Sequence, residues 1–354
     1  MNYVIFEEEY PNPLAPLTLL TPSHELYYGF KRIGEEIKAE LGTPLGYKLP
    51  SRFRGTIAGF LDDFGDAELA INGSIRPSSL QLAKNLRPGQ ALYQAGRLVS
   101  ARGNLSLIKD FERLETHESL IDGPWELVGA LETSKNGLAN GVEIGRGVKV
   151  EEPVSISAEG GGVKIGDGVR IEAFSRIVGP VIIGKGTVIR SARVNSNTVI
   201  GENCRVGGEV DSTIIGNYTN KAHFGYIGHS YVGNFVNVGA GSTVSDLKNT
   251  YGTIRARGKS YDTGMIKLGA FIADHVRVSI NTSLFGGVSI GAASHVEGAV
   301  RSDVAPFKFV DGSIMDIDKL LEIVDRMKRR RNLSLTAGER QLLKEAAKLA
   351  HASS

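Results

Sequence analysis

GVKIGDGVRIEAFSRIVGPVIIGKGTVI, residues 162–189, places an isoleucine at 165, 171, 177, 183 and 189. The interval is six each time. An α-helix repeats its apolar face every 3.6 residues and a half-buried strand every second residue, so neither accounts for the run. A coil built from short strands and turns does: each hexad supplies one strand with one inward aliphatic side chain, and three hexads close a triangular turn. Glycine is placed to suit it, at 166 and 184 directly after an inward isoleucine. A residue without Cβ lets the chain turn sharply and lets neighbouring coils approach closely.

The period extends both ways. Upstream lie Ile144, Val150 and Ile156. Downstream, Val194, Ile200 and Val206 follow after a one-residue slip, Val232, Val238 and Val244 resume the count, and Ile266, Ile272, Val278, Leu284, Ile290 and Val296 close it. The chain holds 44 glycines in 354 residues, about one in eight, against a usual share of roughly 7%. A glycine-rich β-sandwich carries turn signals every 8–12 residues and does not produce five successive aliphatics at six. The sequence therefore predicts a solenoid of stacked hexads, fewer than nine coils long, at a strand spacing of about 4.8 Å. Two polar interruptions, about 207–227 and 245–265, are expected to be extruded loops, where function concentrates.

Residues 1–135 have a different texture. A strand is expected at Met1–Phe6, a helix at Glu25–Leu41, and a strand at Glu68–Asn72. A short helix behind Pro77, a hairpin around Gly96 and a helical turn at Trp125 follow. This reads as an α/β domain. The tail 314–350 reads as two helices, the second capped by Ser334–Thr336. They are expected to cover the open end of the solenoid, as terminal caps do. The organisation is thus 1–135 α/β, 136–312 solenoid and 313–354 helical cap.

Charge is balanced, 41 Lys and Arg against 39 Asp and Glu, which gives no electrostatic footprint for nucleic acid. The basic run Arg326–Arg331 reads as a helix end favoured by the dipole. One cysteine, Cys204, excludes an internal disulfide and a Cys-rich zinc site, and no His or Cys cluster has metal-ligand spacing, so no metal is expected in the solenoid. No apolar stretch reaches membrane-spanning length, and the acidic start Glu7-Glu8-Glu9 does not resemble a signal peptide. The expectation is a cytoplasmic protein with no membrane and no nucleic-acid partner.

The segment Asn220-Lys221-Ala222-His223-Phe224-Gly225-Tyr226-Ile227-Gly228, followed by Val236-Asn237-Val238-Gly239-Ala240-Gly241, resembles the left-handed β-helix of the bifunctional N-acetylglucosamine-1-phosphate uridyltransferase / glucosamine-1-phosphate acetyltransferase family. The coil loop Asp246–Gly252, together with Asn12–Thr18 and Ile71–Pro77, resembles a branch of GlmU-like sugar nucleotidyltransferases with a reduced N-terminal domain. The resemblance implies a left-handed parallel β-helix, a homotrimer with sites between protomers, and acetyl-CoA as acyl donor. By position it makes His223 the general base, and Tyr226 and Asn237 acceptor contacts. A histidine suits that task because its pKa lies near neutrality and the attacking amine must lose a proton. The family's basic contacts to the sugar phosphate fall here near Asn195 and near Asp211 or Ser212, which leaves Arg190 and Arg193, with Lys221 and Lys248, as the cations for substrate or CoA phosphates. Gly239 and Gly241 are expected at the acyl-CoA, where backbone N–H groups can hold an oxyanion. His229, His275 and His295 read as inert, His229 being expected on an exposed turn.

Nucleotidyltransferases of this type open on a glycine-rich phosphate loop, and Met1–Thr21 holds no glycine. Glu7, Glu8, Glu9 and Glu25 read as a solvated acidic loop rather than Mg2+ ligands, with Mg2+ expected only if nucleotidyl transfer is present. The leading expectation is acetyl transfer to an amino-sugar phosphate at the β-helix. The alternatives are nucleotidyl transfer by the N-terminal domain and a catalytically silent trimeric scaffold.

Overall fold

The structure is a computed structural model that describes residues 2–134 and 138–352. Met1 and the boundary expected at 135/136 lie outside the described residues. The chain forms two compact units, one running to Gly123 and including Leu321–His351, the other Pro124–Leu320.

In the first unit, three parallel strands, Gly46–Lys48, Tyr3–Phe6 and Leu69–Asn72, continue through antiparallel Arg97–Arg102 into Gln90–Gln94 and Glu112–Glu115. Tyr3, Val4 and Ile5 are fully buried, as expected of a strand covered on both faces. The helix expected from Glu25 begins only at Ile33: Tyr27–Tyr28 pairs antiparallel with Lys31–Arg32 around Gly29, whose φ is 65°. Helix α1 (Ile33–Leu41) is closed at its start by Glu35, which accepts from the Arg32 N–H at 3.0 Å. Helix α2 (Leu80–Lys84) follows Pro77. Helix α3 (Pro124–Thr133) opens the second unit.

The tail forms helices α4 (Ile317–Arg329) and α5 (Ala337–Ala352). Thr336 caps α5 by accepting from the Glu339 N–H at 3.2 Å, and Glu339 accepts from the Thr336 N–H at 2.9 Å, a reciprocal box. Leu321–His351 belongs to the first unit, where Leu342 packs against Leu49 and Phe53. A helix docks on whichever apolar surface matches its stripe, and the stripe alone does not name that surface.

The second unit is a parallel β-helix. Among the described residues, one face stacks eight strands, from Val142–Ile144 at the start to Ser289–Ile290, and Val304 pairs on beyond them. Ile165, Ile171, Ile177, Ile183 and Ile189 all lie in one buried cluster inside it. Glycine is obligatory where coils touch: a Cβ on Gly184 would stand 2.5 Å from the Gly201 carbonyl group. Three aliphatics of the pattern depart from it. Ile144 and Val150, in the first coil, are exposed, and so is Ile266, which precedes the point at which the register resumes at Phe271.

Only the second interruption extrudes a loop. Strands pair across it from Tyr231 to Phe271, and the excursion carries its own hairpin, Arg255–Ala256 with Tyr261–Asp262. Tyr261 stacks on Trp125 of α3 at 4.6 Å, with the Arg257 guanidinium 5.0 Å from the indole. The first interruption, 207–227, is a correction. It forms ordinary coil strands at Arg205–Asp211, Ile214–Ile215, Asn220–Lys221 and Tyr226–Gly228. Lys221, Thr213 and Thr219 there are buried in the coil, and the coil is made shorter, not longer.

Candidate functional site

The shortening makes a notch. Along one edge of the prism, each coil passes from one strand to the next through a corner. Six residues separate Arg170 from Arg176, five separate Val188 from Arg193, and four separate Arg205 from Glu209. Asn220 and Tyr226 are again six apart. Two successive corners are therefore drawn in, at Ser191-Ala192 and Gly207-Gly208, between full-length corners carrying Phe174 and Phe224. The resulting groove has a volume of about 590 Å3 and is lined by Phe174, Arg176, Arg193, Glu209 and Tyr226 with backbone of the short corners. Arg176, Arg193, Glu209 and Tyr226 stand in direct register on successive coils. The groove thus orders two arginines before a glutamate, with Arg193 Nε 4.0 Å from Glu209, which also accepts from the Asn195 amide at 3.0 Å.

At the anionic end, a carboxylate sits behind the tyrosine. The Tyr226 hydroxyl donates to Asp246 Oδ2 at 2.7 Å, and His229 Nδ1 lies 2.7 Å from the same oxygen. His229 Nε2 lies 4.0 Å from Glu132 of α3. His229 is buried, contrary to the exposed turn expected, because Asp246 at the root of the excursion and α3 close over it. Burial opposes ionisation of Asp246, but the hydrogen bonds from His229 and Tyr226 outweigh it and hold the carboxyl below its ordinary range. Burial and the Asp246 bond both push the Tyr226 phenol up, as do the nearby Asp211 and Glu209 charges. Gly228 leaves the space for this arrangement, since a Cβ there would stand 2.2 Å from the Tyr226 oxygen.

The expected residues separate into three groups. Arg193 and Tyr226 line the groove. His223 is exposed at the corner just beyond it, between the strand ending at Lys221 and that starting at Tyr226. Asn237 lies on the neighbouring face, where its side-chain oxygen accepts from Asn220 at 2.9 Å. Arg190 lies outside the groove, 3.6 Å from Glu172, and Lys248 donates to the Thr253 carbonyl within the excursion.

The expectations for Lys221 and for the glycine pair are corrected. Lys221 is buried, not presented to a phosphate: its ammonium donates to the carbonyls of Gly207 at 2.6 Å, Gly225 at 2.8 Å and His223 at 3.2 Å. It therefore ties the shortened corner to the His223 turn. The Gly239 and Gly241 N–H groups are not available to an oxyanion, because they donate to the carbonyls of Val278 at 2.8 Å and Phe224 at 3.0 Å. Both glycines serve coil stacking. Arg176, Glu209, Asp246 and His229 are the residues sequence reasoning missed. The first two were accessible by counting back one coil from Arg193 and Tyr226, and Asp246 by counting forward one coil from His229, since Ile227 pairs with Val244; the Glu132 contact of His229 depends on α3.

In the first unit, the four candidate carboxylates are held by the chain itself. Glu8 pairs with Arg97 at 2.7 Å, Glu9 with Arg52 at 3.3 Å and Glu25 with Arg32 at 2.6 Å. Glu7 accepts from the Ser23 N–H at 2.7 Å, and burial raises its pKa to about 8. Glu9 remains exposed as expected, whereas Glu7 is buried rather than solvated. Among the described residues no helix is long and apolar enough to cross a membrane.

A sugar nucleotidyl transferase family model matches residues 3–134, and a bacterial transferase hexapeptide model of six repeats matches 162–192. The chain thus joins a nucleotidyltransferase-type domain to a hexapeptide-repeat β-helix. Its curated homologues are GlmU-like: a bifunctional sugar-1-phosphate nucleotidylyltransferase/acetyltransferase of Sulfurisphaera tokodaii is 35% identical over 108 residues, 29% of this chain and 27% of that protein. The bifunctional protein GlmU of Thermodesulfovibrio yellowstonii is 32% identical over 114 residues, 32% of this chain and 23% of that protein. The matched stretch spans about a quarter of these relatives. Among solved structures, a UDP-N-acetylglucosamine acyltransferase from Campylobacter jejuni aligns at 15% identity and a TM-score of 0.26, covering 58% of this chain and 95% of its own.

Proposed function

We propose that the β-helix is an acetyltransferase that moves an acetyl group from acetyl-CoA to the amine of a sugar phosphate. The observation that carries this reading is the ordered charge of the notch. Arg176 and Arg193 at one end suit a phosphate, and Glu209 with the Asp246-backed Tyr226 at the other suits an amine. His223, at the corner beside that end, takes the proton the amine must lose before it attacks the thioester. Lys221 positions the turn that carries it, by holding the His223 carbonyl. The edge that bears His223 also exposes Phe174, Phe224 and Ile280, at 77%, 70% and 67%. Burying such an apolar edge against further copies supports the homotrimer. The use of acetyl-CoA, a cytoplasmic metabolite, supports a cytoplasmic setting.

Release of free CoA thiol from acetyl-CoA in the presence of glucosamine-1-phosphate tests the reading. His223→Ala is expected to lower the rate by about 10²–10⁴-fold, the usual contribution of a general base, with the melting temperature unchanged. Thiol release that persists in this variant removes His223 from the mechanism, and none from the wild type removes the activity.

A second reading rests on the family match over 3–134: nucleotidyl transfer by the first unit. Its measure is Mg2+-dependent pyrophosphate release from a nucleoside triphosphate and a sugar-1-phosphate.

A further inference from the structure

We infer that Asp246 and His229 are positioning residues that commit the only proton of Tyr226 inward, so that its oxygen meets the acceptor substrate purely as a hydrogen-bond acceptor. This deepens the proposed function and rests on the notch being the acceptor site.

The argument starts at Asp246 Oδ2. Two groups reach this one oxygen at 2.7 Å, the Tyr226 hydroxyl and His229 Nδ1. An ionised carboxylate has no proton to give, so both neighbours must donate. That fixes the proton of His229 on Nδ1 and points the Tyr226 O–H away from the groove. The outward side of the phenol oxygen then carries lone pairs alone. Tyr226 lines the groove with Glu209 beside it, and Asp211 completes a set of three carboxylates around the tyrosine. A group that donates hydrogen bonds and carries positive charge is favoured there, whereas a neutral hydroxyl gains only the hydrogen bond. The chemistry selected is an amine-bearing sugar phosphate over its hydroxyl analogue.

The arrangement is built rather than incidental. His229 is 4% exposed, its second nitrogen faces Glu132 of α3, and its own N–H donates to the Asp211 carbonyl at 2.9 Å. Gly228 leaves the volume open where a Cβ would meet both the phenol oxygen and, at 2.4 Å, the Asp246 carboxylate. A purely structural tyrosine would not need a buried carboxylate and a buried imidazole converging behind it at the wall of a groove.

Calorimetric titration of the full chain with glucosamine-1-phosphate and, separately, glucose-1-phosphate tests the proposal. The wild type is expected to bind the amine about tenfold more tightly, the ratio that about 1.4 kcal/mol produces. Tyr226→Phe and Asp246→Asn are each expected to reduce that ratio to near unity, and the double variant to lose no more than the worse single one. Equal weakening of both sugars by Asp246→Asn, or an unchanged ratio, overturns the proposal. So do single effects that multiply in the double variant. Nitrogen-15 resonances of His229 give an answer without turnover: a protonated Nδ1 in the wild type that shifts in Asp246→Asn is expected, and insensitivity overturns the proposal alone. A wild type that retains the amine preference yet releases no CoA thiol overturns acetyl transfer and leaves the positioning role standing. One that binds neither sugar phosphate overturns both.

Discussion

Lys221 illustrates how a single side chain is misread when only its type and neighbours are known. Beside His223 it looks like a phosphate ligand, yet its ammonium spans three main-chain carbonyls inside the corner. Removing it takes a donor from each, although Gly225 keeps the Glu209 N–H at 3.0 Å, so Lys221→Met is expected to destabilise the β-helix by about 2 kcal/mol, within the range for orphaned buried polar groups; chemical denaturation measures it. Burial lowers its pKa from 10.5 to about 8, with Glu209 pulling the other way. The folded state therefore gives up this proton more readily than the unfolded chain. Between pH 8 and 10.5 the unfolded chain holds more protons, so this group makes stability rise with pH across that window. The rise is expected in the wild type and absent in Lys221→Met, read as the difference between their unfolding midpoints at pH 7.5 and pH 10. Tyr226 was legible through the family resemblance of its segment, and Arg193 as a cation beside the positions where that family contacts a sugar phosphate. Asp246 and His229 lie one coil apart, in step with Ile227 on Val244, but the period does not tell that their side chains converge on the Tyr226 oxygen, and the Glu132 contact from α3 follows no period.

At the scale of elements, the hexads announce themselves and the helices do not announce their destinations. Strand after strand falls where the isoleucines require, because a coil that misplaces one aliphatic exposes it and breaks the inner stack. Helix α5 has a stripe and a cap that predict its span, but its docking depends on a close approach no pattern records. A Cβ on Gly338 would stand 2.1 Å from the Gly55 carbonyl oxygen. Gly338→Ala improves helix propensity by at most about 1 kcal/mol, while forcing two backbones apart costs about 1–3 kcal/mol. The net effect expected is a loss of stability in the first unit, measured as a lower unfolding midpoint. A gain would mean that the helix can slide off Gly55 without cost. The first polar interruption was misread for a related reason. Polarity at 217–223 suggested extrusion, whereas the decisive signal was arithmetic, the fall in spacing from six to five to four across two corners.

For the whole molecule, the exposed edge of the β-helix is the feature that assembly must address. Phe174, Phe224 and Ile280 together present an apolar line that an isolated chain leaves in water, and lines of this kind mark interaction surfaces. Sedimentation velocity is expected to show a trimer for the wild type and a shift toward monomer for Ile280→Glu, with the coil fold intact by circular dichroism. A monomeric wild type would remove the trimer. The change of texture placed the division near residue 135, whereas the units divide at Gly123 and Pro124, with α3 in the second; the grouping of the tail with the first unit was not legible, because chain order carries no information about which surface a terminal helix revisits. The drawn-in corners at Ser191-Ala192 and Gly207-Gly208 have a consequence for how such a scaffold acquires new chemistry. A solenoid is usually elaborated by inserting segments, each of which must find its own partners. Here the recess is cut by deletion: the wall is the regular stack itself, and its floor is the backbone of two abbreviated turns. Restoring the missing residues would fill the recess and leave the inner aliphatic column untouched, so the cavity can be opened, deepened or erased independently of the stability of the column that supports it.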